Sequence, residues 1–455
     1  METLGLLAGL GLLIWLALKD VNIIFAAVLC ALVVIVTNSL PFAESLTQTF
    51  LLSDLGAFTF AGRFFLLFAA GAVFGKIMGD SHAATSVAMA LVRSLGAHRA
   101  LWITVIACAL LTYGGVVVFV VIFAMYPLGL RLMHEANIPK RLFCGALALG
   151  AGTFTLTALP GTPSIHNVIP TLTLGTDLFA APLLGLLGGS LMFIMGMAYL
   201  ERERVKAVAA GEGFEAGPRD VIPDFSEIEK DVPHPLLAVA PLALVIATIL
   251  APRLLAMGGM GEGAGSLGEL VAFANSQPIL WPSIALILAS LVAVALFPAV
   301  RKTPLQTMGL GTQDAILPLM ATSAVIGFGG VVAQTQGFAS FTQLVIGSDL
   351  PPHLSMFAAA STVSGITGSS SGGLQIFMAT MAEPYLALGI DPQELHRLVA
   401  MASGGLDSLP HCGAVIAMLT ITQLTHKQAY KDVGVVTVIV PVIATLITTA
   451  VAMAI

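Results

Sequence analysis

The chain has 455 residues, of which 57% are hydrophobic and 10% charged, with a mean hydropathy of +0.96 and a formal net charge of -6. So little charge over this length excludes a soluble globular protein and makes lipid the solvent. The charges lie thinly over short loops with no basic block, so nothing marks nucleic acid as a partner.

In chain order, apolar runs long enough to cross a hydrocarbon core predict helices at 4–18, 21–39 and 57–78, then a short helix at 83–95. The first run lacks the basic start of a secretory signal and the pattern resumes at once, so it reads as a retained helix. A glycine-interrupted segment at 99–131 follows, then 141–175, broken around Leu159 to Pro163, and then 178–200. Residues 201–234 open with Glu201, Arg202, Glu203, Arg204 and Lys206 and turn rich in Gly, Pro and acid, which reads as a linker. Beyond it the order recurs: 235–256, 278–298 and 313–333, a short helix at 337–347, an interrupted segment at 354–390, then 395–426, broken around Leu409 to Gly413, and 433–455. A β-barrel would need alternation instead. The expected fold is an all-α polytopic membrane protein made of two repeats, 1–200 and 235–455, joined by a cytoplasmic linker at 201–234.

The recurrence extends to letters. Thr112, Tyr113, Gly114, Gly115 and Phe119 match Ser370, Ser371, Gly372, Gly373 and Phe377 at identical spacing. Thr157 to Gly161 likewise matches Asp407 to His411. Lys19, Arg93, Arg99, Arg131, Lys140, Arg141, Arg301, Lys302, Lys427, Lys431 and the cluster at 202–206 place their loops inside, and the Lys- and Arg-free stretches 40–56, 257–277 and 347–394 are placed outside. Arg397 is the main exception. These sides make 99–131 a hairpin re-entering from the cytoplasm and 354–390 one re-entering from outside, with both termini outside a bacterial inner membrane. The repeats then have inverted topology. A double crossing at 99–131 is the alternative, but about 33 residues are too few for two spans and a turn.

Glycine-rich hairpin tips expose backbone amides at mid-membrane depth, which makes Thr112, Tyr113, Gly114 and Gly115 one side of a carboxylate receptor. Ser369, Ser370, Ser371, Gly372 and Gly373 form the other, with three hydroxyls to add. Close helix packing by small residues is the alternative for such positions. After each hairpin, proline and glycine break a helix and free backbone groups toward a ligand, near Thr157, Gly161, Thr162 and Asn167 in one case and Ser408 in the other. Asp407, a carboxylate at bilayer depth, needs a partner or a proton, and His411 one helical turn on is positioned to be that partner. The pair is therefore a candidate for proton coupling, or else a fixed bond that holds the break open. Cys30, Cys108, Cys144 and Cys412 lie in apolar segments without metal-site spacing, so no metal or cofactor is expected. Ser408, His411 and Asp407 also supply the residue types of a hydrolase, but their adjacency in one short segment does not build a triad. A channel shares the same hairpin logic.

The strings Phe74 to Asp80, Leu111 to Gly115, Asn137 to Arg141, Thr157 to Pro163 and Ser403 to Gly413 carry a resemblance. Over nearly the whole chain the sequence is similar to the gluconate permease (GntP) family, nearest its 3-hydroxybutyrate permease-like branch. The resemblance implies proton symport of gluconate or a related hydroxy acid, within an ion transporter superfamily whose known folds are dimers working by an elevator motion. The expected partners are thus a small carboxylate, a coupling proton, the lipid bilayer and a second copy of the chain. Sodium-coupled dicarboxylate carriers of that superfamily carry Ser-Asn-Thr at their tips, which this chain lacks, so sodium-coupled citrate or dicarboxylate transport is the alternative. Tips without Arg or Lys suit one negative charge better than two or three.

Overall fold

A computed structural model describes residues 2–19, 21–116, 118–218, 220, 222, 232–257, 265–410 and 412–455. Every described regular element is helical. Ala57–Asp80, Pro182–Ala209, Pro304–Ala333, the helix beginning at Pro235 and the stretch from His426 to Ala452 are long and apolar enough to cross a membrane. Ser266–Ser276 and Leu280–Leu296 make a further candidate span bent by 108°. The bend has a local cause, because Pro278 offers no amide and disfavours the helical region for Gln277 before it.

At the centre, Ala57–Asp80 packs along Pro304–Ala333. Both are apolar on most sides, and small residues rather than an amphipathic stripe let them approach. A Cβ on Gly311 would stand 2.7 Å from Val73 Cα, and one on Gly327 would stand 2.5 Å from the Phe50 carbonyl. Ala100–Tyr113 packs in the same manner on Lys140–Gly152, where a Cβ on Gly150 would meet the Val105 carbonyl at 2.5 Å. Pro352–Thr367 lies against both Pro392–Leu406 and Ser370–Thr380. The four cysteines are free and buried.

Four interruptions shape the interior. Ala100–Tyr113 turns at Gly114 and Gly115 into Val118–Glu135, with Gly115 at φ +95°. Lys140–Gly152 and the short Phe154–Thr157 give way at Ala158 to Ser164, and the chain resumes as Ile165–Leu174. Pro392–Leu406 stops at Asp407, and Gly413–Thr422 follows. The second hairpin turns at Gly368, φ +60°, between Pro352–Thr367 and Ser370–Thr380. The matched letters therefore do not occupy matched places. Thr112 and Tyr113 end a helix, whereas Ser370 and Ser371 begin one, and Gly372 and Gly373 are helical. Gly373 serves close packing, since its Cβ would fall 2.4 Å from Ser364 Cα.

Beyond position 200 the Pro182–Ala209 helix continues, braced by Glu201–Arg204 at 2.6 Å and Glu203–Lys206 at 2.5 Å. From there the chain docks back onto the helix ends. The Arg141 guanidinium grips both Glu212 oxygens at 2.8 Å and reaches Asp432 at 2.5 Å. Glu203 accepts from Lys431 at 3.1 Å. The Asp220 side chain is fully buried at 0% exposure and accepts from Lys140 Nζ at 2.6 Å, the Tyr126 hydroxyl at 2.6 Å and Gln423 at 2.8 Å. One carboxylate thus joins the second arm of the first hairpin to the end of Gly413–Thr422.

Burial by itself would raise the Asp220 carboxyl, but Lys140, the Tyr126 hydroxyl and the Gly217 amide outweigh it and hold the group below the usual carboxylate range. Its stabilisation is present above the unfolded value of about 3.9 and is lost as pH falls through the lower folded value. Asp220→Ala leaves Lys140 buried and unpaired, with an expected loss of about 3 kcal/mol at neutral pH. Thermal unfolding in detergent at pH 7 and then below about 4 checks this, because the gap between wild type and variant narrows at the acidic end.

Candidate functional site

The interruptions meet around an internal cavity of about 310 Å³. Four helix N-termini open on it, with Val118, Ile165, Ser370 and Gly413 all in its wall. First-turn amides have no carbonyl partner within their own helix, and the aligned peptide dipoles place about half a positive charge at that end. Side-chain caps cover few of these amides. Ser164 accepts from Asn167, Ser369 accepts from Gly372, and Gly413–Thr422 has no side-chain cap.

The polar side chains of the wall come from both parts of the chain. Ser369, Ser370 and Ser371 begin one helix and Asp407 and Ser408 end another, while Thr112, Ser164 and His166 belong to the first half. Ser408 Oγ donates to Asp407 Oδ1 at 3.1 Å, and Ser370 lies close enough to interact with the same carboxylate. Both Asp407 and Ser408 are 8% exposed. Among the described lining residues there is no Lys or Arg.

Of the residues expected from sequence, Thr112, Gly115, Ser369, Ser370, Ser371, Asp407 and Ser408 share this cavity. Tyr113, Gly114, Thr157, Gly161, Thr162, Gly372 and Gly373 stand behind its wall, and His411 lies outside the described residues. Most of the displaced ones have structural work. Tyr113 donates its hydroxyl to the Pro160 carbonyl at 2.9 Å. Gly114 packs on Leu242, whose Cδ2 would sit 2.4 Å from an added Cβ. Gly161, at φ +84°, donates its amide to the Leu178 carbonyl at 2.9 Å, and its missing side chain makes room for the Phe179 ring. Thr157 bonds back to the Thr153 carbonyl at 3.2 Å, and the buried Thr162 hydroxyl has no partner.

Carbonyls freed by the breaks were expected to face a ligand, but protein side chains take many of them. Ser164 donates to Leu156 at 2.8 Å, and the Asn167 amide donates to Leu159 at 3.2 Å and Thr162 at 3.1 Å. At the second break Tyr430 donates to the Ser408 carbonyl at 3.1 Å, and the His426 ring meets the Pro410 carbonyl at 2.8 Å. Arg397 locks the arrangement. It is 0% exposed, and its guanidinium donates to Asn167 Oδ1 at 2.6 Å, the Ala180 carbonyl at 3.0 Å and the Leu178 carbonyl at 3.3 Å. Its failure to fit the loop-charge pattern is thereby explained, since it is an internal strut rather than a loop residue.

Sequence reasoning missed Gly368 and His166, both in the wall. The available signal for His166 was its place two residues after Ser164, in the first turn of the helix that Ser164 caps.

Broken helices whose ends line a shared cavity are the architecture of many membrane transporters. This chain is a member of the GntP permease family, whose profile for GntP family permeases matches residues 1–454. It is 38% identical over 462 residues to an uncharacterized transporter, YxjC, of Bacillus subtilis (strain 168), covering 96% of each chain. It is therefore a transporter and not an enzyme. Its fold is similar to that of the Alcanivorax borkumensis YdaH transporter, with a TM-score of 0.52 at 12% identity over 87% of this chain and 86% of that one. It is also similar to Neisseria gonorrhoeae MtrF, described as illuminating a class of antimetabolite efflux pumps, with a TM-score of 0.50 at 12% identity over 92% of this chain and 83% of that one.

Two substitutions test the frame of the site. Arg397→Met strands three acceptors in the interior and is expected to cost about 3 kcal/mol or more, and Arg397→Lys recovers only part because a single ammonium cannot span them. Thermal unfolding in detergent reads both. Gly115→Ala forces a side chain into a positive-φ position 2.6 Å from Leu286 Cδ2. The expected loss is about 1–2 kcal/mol, with lowered transport and a folded protein by size-exclusion chromatography.

Proposed function

We propose that the protein is a secondary active transporter that takes up a small hydroxylated monocarboxylate, of the gluconate or 3-hydroxybutyrate type, together with a proton. The observation that carries this reading is the convergence of four helix N-termini on one cavity whose described wall has no Lys or Arg but does have Asp407. Amide ends and serine hydroxyls favour an anion, and without fixed cations they favour a singly charged one. A cavity of about 310 Å³ suits a ligand of a few carbons.

Asp407 supplies the coupling. Its carboxylate and a bound carboxylate about 5 Å apart would repel by roughly 3 kcal/mol at an effective dielectric of 20. The anion therefore enters when Asp407 carries a proton, and both leave together. Ser369, Ser370, Ser371, Ser408, Thr112 and Gly115 form the proposed substrate surface.

The wider mechanism belongs to the same proposal: two inverted repeats on either side of a cytoplasmic linker, both termini outside the bacterial inner membrane, an elevator motion and a homodimer. Supporting the repeats, Ala100–Tyr113 packs on Lys140–Gly152 much as Pro352–Thr367 packs on Pro392–Leu406. Placement in the GntP family supports the substrate class.

Proteoliposome uptake of gluconate and 3-hydroxybutyrate is expected to rise several-fold with an inward proton gradient and to ignore a sodium gradient. Acceleration by sodium alone would favour the sodium-coupled alternative, and the absence of any response to protons would overturn proton symport. Asp407→Asn is expected to lose the gradient response while retaining counterflow exchange, because it mimics the protonated carboxyl.

A further inference from the structure

On the first turn of Ile165–Leu174 the cavity wall holds a histidine that the coupling scheme does not use. His166 is 2% exposed, and neither ring nitrogen has a hydrogen-bond partner. It is not bracing the break. That task falls to Ser164, Asn167 and Arg397, whose bonds close on one another and on nearby carbonyls without it. A buried imidazole with two unpaired nitrogens is a net cost to the fold unless a partner arrives. His166 lies in the wall of the cavity with both nitrogens covered, so a partner that arrives there meets the imidazole by a turn of the ring.

We propose that His166 is the specificity-determining residue that hydrogen-bonds the hydroxyl group of the substrate. The proposal rests on the carboxylate reading of the cavity and adds what that reading leaves open, namely which group recognises the rest of the molecule. A neutral imidazole carries one donor and one acceptor nitrogen, and a substrate hydroxyl, which both gives and takes hydrogen bonds, can pair with whichever of the two turns toward the cavity. The serines are partly committed elsewhere. Ser408 donates to Asp407, and Ser369 caps Gly372. A site built around a substrate hydroxyl rejects the analogue without it, because its own polar atoms are then left unpaired, whereas an apolar wall rejects it only weakly.

The test compares 3-hydroxybutyrate and gluconate with butyrate in proteoliposomes for wild type, His166→Leu and His166→Gln. Wild type is expected to prefer the hydroxy acids. That preference falls by about tenfold or more in His166→Leu and returns in part in His166→Gln, whose amide restores a donor and an acceptor. In substrate-free detergent solution His166→Leu is expected to raise the thermal midpoint by a few degrees, since no hydrogen bond is lost. An unchanged preference in His166→Leu, or a lower midpoint in both variants, would overturn the proposal. If wild type carries none of the three acids, the carboxylate reading fails by itself and the midpoint decides the role of the imidazole: a rise supports a group kept for a ligand, and a fall marks a structural brace.

Discussion

In a hydrocarbon solvent every backbone amide and carbonyl must find its partner inside the protein. The structure turns on how its two helix breaks meet that demand. The carbonyl side of each break is covered by side chains, with Ser164, Asn167 and Tyr113 at the first and Tyr430 and His426 at the second. The amide side has a single side-chain cap at the first break, Ser164 on Asn167, and none at the second. A break that exposed both ends would be neutral on balance. One dressed mainly on the carbonyl side presents positive partial charge to the cavity, with no Lys or Arg among the described lining residues.

The same asymmetry accounts for what could be read from the sequence. Spans were legible because apolar runs of sufficient length have few other uses, and the short helix at 83–95 coincides with Ala83–Leu95. Breaks were legible because Pro160, Pro163 and Pro410 cannot continue a helix. The identity of the groups facing the cavity was less so. Tyr113 and Gly115 are two residues apart on one turn, yet one points into the break and the other into the cavity, and letters alone do not carry that rotation. Repeated letters misled in the same way, because Gly373 packs a helix while Gly368, outside the match, makes the turn. Ser266–Ser276 was invisible inside a glycine-rich stretch that reads as loop. Arg397 looked like a topological anomaly because a buried strut and a loop charge have the same spelling.

Where the segment after Ala209 docks on the helix ends, the ionic contacts have a different character from those of the core. Arg141 and Glu203 sit near helix ends in the earlier part of the chain, Asp432 and Lys431 come from His426–Gly434, and Asp220 from the irregular segment between. Charges held at 0–5% exposure, as Asp220, Lys140 and Asp432 are, stabilise only when their geometry is complete, so this cluster is better at fixing an arrangement than at adding net stability. It fixes the segment after Ala209 against the membrane-spanning helices.

Arg397 has a mechanical consequence. Its backbone belongs to Pro392–Leu406, while its guanidinium is anchored on Asn167, Leu178 and Ala180. Sliding one of these regions past the other would strip a cation of its acceptors where no water can replace them. With the neighbouring His396–Thr176 bond at 2.7 Å, Arg397 pins the two broken segments together, so that any displacement that carries one carries the other, with the chamber between them, as one rigid carriage.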